Sequence, residues 1–126
     1  MTAREKENTK GLILNNPNET FTVNHPTGAY IIYRKPSLRE QRKSITNHIK
    51  PNGELDSDGY IDTIMKSCIT GWGLFKSKNN AGKISEIPYT PENIDIYYEW
   101  IPIDMITELM YGMGLAVRRD EAIEKN

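Results

Sequence analysis

A chain of 126 residues with 26% charged side chains and a formal net charge of −1 suits one domain with a modest core. Its sequence pI near 6.1 gives no general pull toward nucleic acid or anionic membrane, and no window approaches the roughly 18 apolar residues of a membrane span. One cysteine, Cys68, excludes an internal disulfide and a multi-cysteine zinc site.

Residues 1–19 are polar apart from the short run "GLIL" and read as an N-terminal arm closed by the turn-rich "NNPNE". The stretch "MTAREKENTK" has no apolar h-region, so no signal peptide is expected. A single globular domain is expected over 20–118. Phe21 and Val23 alternate with polar residues, and Tyr30, Ile31, Ile32 and Tyr33 are β-branched or aromatic. With His25-Pro26-Thr27-Gly28 between them, they predict a β-hairpin. Ser37-Leu38-Arg39-Glu40 matches a capping box and opens a helix over residues 38 to about 49, with a thin apolar stripe of Leu38, Ile45 and Ile49. Pro51-Asn52-Gly53 stops it.

Asp56 or Ser57 caps a second helix, where Tyr60, Ile61, Ile64, Met65, Cys68 and Ile69 repeat at helical spacing. Gly71 reads as its C′ glycine. A polar loop over 76–83 follows. Thr90-Pro91-Glu92 then supplies cap hydroxyl, N1 proline and first-turn carboxylate for a third helix. Pro102 interrupts, and a fourth helix runs from about Ile103, with Gly112 and Gly114 weakening its end. Residues 119–126 form a charged tail. The fold expected is α+β, an N-terminal β-hairpin followed by a small bundle of about four helices.

No catalytic set emerges. His25 falls in a turn and His48 near a helix end, without metal-ligand spacing. "ELDSDGYID" resembles a calcium loop, but Met65 occupies the position where the bidentate Glu belongs, and its carboxylates suit a helix N-terminus instead. Cys68 sits on an apolar helix face and reads as a structural thiol. The expectation is a protein without catalytic residues, metal or cofactor.

Charge and aromatic patterning say more. Residues 34–50 carry six basic residues against Glu40, whereas residues 86–108 carry six carboxylates and no Lys or Arg. Arg39, Arg42 and Lys43 mark a basic face. It reads as a solvated face that steers toward an acidic neighbour. Nucleic acid, with Tyr30 and Tyr33 as stacking partners, is the alternative, and the pI argues against it. The acidic and basic segments are also self-complementary, which suits head-to-tail homo-oligomers. Tyr97, Tyr98, Trp100, Met105, Met110 and Met113 crowd the C-terminal third. They read either as core filling or as an adaptable partner-binding surface.

The order of "IIYRKPS", a "LREQ" helix, "ITGWGLF", a polar loop and "IPYTPENI" resembles tail assembly chaperones of long-tailed bacteriophages and related prophages. Trp72-Gly73 holds the first part of their pattern, without its usual spacer, and Ile87 to Ile94 the rest, after a longer loop. Within it, Trp72 and Phe75 are expected to pin the loop onto the domain, and Ile87 and Tyr89 to lead extended into the third helix. The resemblance implies a non-enzymatic factor of the host cytoplasm. Such a factor binds the helical tape measure protein, recruits tail tube subunits and leaves before the particle matures. Rival readings are a virion structural protein of the neck or minor tail and a small phage-encoded inhibitor of a host defence enzyme.

Overall fold

The computed structural model describes residues 10–14 and 16–117. The charged tail expected over 119–126, and residues 1–9 and 15 of the arm, lie outside the described residues. Strands β1 (Phe21–Asn24) and β2 (Tyr30–Tyr33) form the expected antiparallel hairpin, with Phe21 opposite Tyr33 and Val23 opposite Ile31. Its turn closes through His25 N–H to the Ala29 carbonyl at 2.8 Å and Gly28 N–H to the His25 carbonyl at 2.9 Å. Gly28 sits at φ +94°, a conformation that glycine adopts without a Cβ penalty.

Helix α1 (Leu38–Asn47) opens on the predicted capping box: the Ser37 hydroxyl accepts from Glu40 N–H, and Glu40 reaches back to Ser37 N–H. Glu40 also accepts both guanidinium nitrogens of Arg34 at 2.7 Å. This paired hydrogen bonding, with the Ser37 amide, holds its carboxyl down from an ordinary 4.5 to about 2. The folded state therefore binds fewer protons than the unfolded chain between these values, so the pair stabilises above pH 4.5 and fades as pH falls toward 2. Glu40→Gln is expected to cost about 1–2 kcal/mol at pH 7, discounted for partial exposure. It should also flatten the stability–pH curve across that interval, read from denaturant midpoints at a series of pH values.

The side of α1 that meets the rest of the domain is polar. Ser44 is buried and donates to the Tyr60 carbonyl at 3.3 Å, and His48 Nδ1 donates to the Ser44 carbonyl at 2.7 Å. The apolar stripe faces out instead: Leu38 is 61% exposed, Ile45 39% and Ile49 47%.

Helix α2 (Ser57–Cys68) is capped by Asp56, which accepts from Gly59 N–H, and it buries Ile64, Met65 and Cys68. The chain then passes directly into β3 (Ile69–Gly73), which adds antiparallel to β2 and makes a three-stranded sheet of order β1-β2-β3. Gly71 is therefore not a C′ glycine but a strand residue opposite Ile32. The open edge of β2 supplies the backbone partners that a helix end would otherwise lack.

The polar loop read over 76–83 is a second hairpin, β4 (Lys76–Lys78) and β5 (Ile84–Glu86). Its turn is held by Asn79, whose side-chain carbonyl accepts from Ala81 and Lys83 amides. Neither strand buries an apolar face, so no period-2 signal marks it.

Helix α3 (Pro91–Tyr97) starts as read, with the Thr90 hydroxyl accepting from Asn93 N–H at 3.0 Å. A 3-10 turn (Tyr98–Trp100) follows, then α4 (Ile103–Gly112) after Pro102. One core cluster joins sheet and helices, with Ile31, Met65, Cys68, Ile69 and Leu109 fully buried. Among the described residues the architecture is α+β: an N-terminal hairpin and four helices, with a third strand and a second small sheet beyond what the sequence signalled. Among the described residues no helix is long and apolar enough to cross a membrane.

Candidate functional site

A groove of about 550 Å³ opens between the β1–β2 turn, β4 and the corner where α3 becomes α4. That volume falls within the roughly 300–1,000 Å³ of ligand clefts. Ala29, Ile87, Ile101 and Met105 make its buried apolar floor, with Phe75 and Tyr97 half-buried on the walls. Lys76 and Lys78, two apart on β4, form one lip. Trp100, 81% exposed, lines the groove from the 3-10 turn.

The floor is fixed by an aromatic anchor beneath it. Trp72 stacks on Phe75 at 4.9 Å and 19°, and meets Tyr89 edge-on at 5.3 Å and 88°. Its indole N–H donates to the Ile87 carbonyl at 2.8 Å, while Ile87 N–H donates to the Phe75 carbonyl at 2.7 Å. The Tyr89 hydroxyl donates to the Ile69 carbonyl at 2.8 Å. The expected pinning by Trp72 and Phe75 is thus present, and it orients the groove. Leu74, between β3 and β4, takes φ +61° to make the corner.

The six aromatic and methionine residues separate into two groups. Tyr97, Trp100 and Met105 meet at the groove. Tyr98 and Met113 are core, and Met110 packs half-buried against it. As a partner surface Tyr98 and Met113 are corrected, and Met110 lies partly exposed outside the groove: burial follows Ile94, Tyr98, Ile101, Met105, Leu109 and Met113, one inward line that continues through the 3-10 turn and Pro102. Tyr98 donates to Asp62 at 2.8 Å, and burial first, then that carboxylate, pushes its phenol well up.

The basic residues Arg39, Arg42 and Lys43 are exposed on α1, away from the groove, and no ion pair involves them among the described residues. Tyr33 is buried and cannot stack on a nucleobase. His25 Nδ1 lies 2.7 Å from the Thr27 hydroxyl, within the turn. Burial pushes the Cys68 thiol up to about 11, so it stays protonated at neutral pH. Among the described residues no His, Cys, Asp and Glu group is arranged to hold a metal.

Sequence reasoning missed Ala29, Lys76 and Lys78 as groove residues. The period-2 spacing of the two lysines was the one available signal, and it carried no apolar alternation to mark a strand. Chemically, the arrangement accepts apolar side chains on its floor and a neighbouring carboxylate at the lysine lip. No family model, curated protein or solved structure matches this chain.

Proposed function

We propose that the protein is a non-enzymatic tail assembly chaperone of a long-tailed bacteriophage. It acts in the host cytoplasm, binds the tape measure protein and helps recruit tail tube subunits. The observation that carries this reading is the groove: an open apolar floor lined by Tyr97, Trp100 and Met105, with a cationic lip. An amphipathic helix laid into such a groove buries its apolar side chains at i and i+3 or i+4 spacing, while the lysines meet its acidic flank. The Trp72-Gly73 and "IPYTPENI" resemblance supports the same reading, since those residues fix the groove's floor and launch α3.

A virion subunit of the neck or minor tail is favoured by one observation: Leu12, Ile13 and Leu14 are all exposed, as an arm that reaches a neighbouring subunit requires. The two readings separate in an affinity pull-down from phage-producing cells read by mass spectrometry, paired with peptide analysis of purified particles. The chaperone reading expects a long helical tail protein in the pull-down and no peptides in the particle. It also expects Lys76→Glu/Lys78→Glu to reduce that recovery by about tenfold, the scale of losing one well-placed contact. Abundant virion peptides, or capture of a single host enzyme, would overturn it.

A further inference from the structure

Two helical faces of this chain are exposed, apolar at their centres and opposite in charge. On α1, Leu38 and Ile45 are two helical turns apart on one side, and Ile49 follows at the helix end. Arg39, Arg42 and Lys43 flank them without an acidic partner among the described residues. The helix is inverted relative to an ordinary surface helix, which buries its apolar stripe and exposes its polar side. Here Ser44 and His48 meet the domain, and the stripe is left for something else to cover.

The second face runs along α3 into the 3-10 turn. Ile96, 59% exposed, and Trp100 are four residues apart, among Glu92, Asp95 and Glu99. Lys66 approaches Asp95 at 3.8 Å, which leaves Glu92 and Glu99 without an ion pair among the described residues. A cationic apolar stripe and an anionic apolar stripe are matched in kind, and both stand exposed on the same molecule, so they do not cover each other within it.

We infer that α1 of one copy docks on the α3 and 3-10 face of a second copy, giving head-to-tail assembly of this chain. Apolar contact supplies the adhesion, and the opposite charges set the pairing and disfavour α1 meeting α1. Because the two surfaces differ, the contact is heterologous. Each added copy presents a fresh face, so growth continues until a ring closes or a filament forms. This inference does not rest on the chaperone reading.

The test is the mass of the full chain in solution, by light scattering from about 10 µM to about 1 mM, the range where contacts of modest affinity fill. Mass should rise past a dimer with concentration and fall back in high salt as charge pairing is screened. Leu38→Glu/Ile45→Glu and Ile96→Lys/Trp100→Lys alter exposed positions only, and unchanged circular dichroism and melting confirm that they fold. Each variant alone should run as the 14.5 kDa monomer. Mixed one to one they should form a dimer and stop there, because each variant retains the one face that the other has lost. A wild-type chain that stays monomeric throughout overturns the inference and leaves the stripe to another protein or to Leu12–Leu14 of its own arm. So does a mixture that stays monomeric, or a symmetric dimer that both variants leave intact.

Discussion

Trp72→Ala is expected to cost about 4 kcal/mol, the upper range for deleting a large buried ring. Against a typical total stability of about 5–15 kcal/mol, that takes the domain close to unfolding. Three losses combine. The Phe75 stack and the Tyr89 edge contact disappear, and the Ile87 carbonyl loses its indole donor at a buried site. Trp72→Phe keeps a ring in the cavity and removes only the donor, so its cost should be nearer about 1–2 kcal/mol. Urea unfolding with unchanged m separates the two. Equal losses in both variants would show that the hydrogen bond, and not the packing, holds β3 to the strand leading into α3.

Gly112→Ala is the second. Helix propensity alone predicts a gain of about 1 kcal/mol, since alanine is the better helix former. The packing predicts the reverse. A Cβ at this last residue of α4 would intrude on the hydroxyl and ring of Tyr33. Tyr33 is buried beside Phe21 at 5.6 Å and has little room to withdraw. Overpacking of this kind costs about 1–3 kcal/mol, so a net loss of about 2 kcal/mol is expected. Adding Tyr33→Phe removes the nearest atom and should recover part of it, giving a coupling of at least about 1 kcal/mol in a double-mutant cycle. At Gly73 the same crowding comes from Tyr30, a half-buried ring that can swing aside, so Gly73→Ala should cost less. Strict additivity of Gly112→Ala and Tyr33→Phe would show that the two sites do not touch.

Helix starts were legible because their causes are local. Ser37 with Glu40, Asp56, and Thr90-Pro91-Glu92 each satisfy their own first-turn amides, and all three cap as read. The strands after α2 were not. Ile69 completes the helical repeat of α2 and Gly71 imitates a C′ glycine, and only the free edge of β2, far off in sequence, draws Ile69 to Gly73 into a sheet. The second hairpin, solvated on both sides, carries no alternation to read.

At the groove, Trp100 and Tyr97 could be singled out because aromatic residues cluster there. Tyr98 and Met113 could not be assigned inward, because Tyr97, Trp100 and Met110 fill neighbouring positions with equally large apolar groups and leave no single stripe to read. Ala29 joins the groove only because the first hairpin folds its turn toward that corner.

The β4–β5 hairpin has a consequence for how the groove opens. Among the described residues its strands pair only with each other, and their side chains lie outside the buried core. Such a unit separates from the rest of the molecule at a small fraction of the global unfolding free energy. The β2–β3 ladder, which carries Ile31 and Ile69, comes apart only with the whole domain. The two lips of the groove therefore belong to different cooperative units. The lysine lip is thus held less firmly than the floor and the Trp72 anchor.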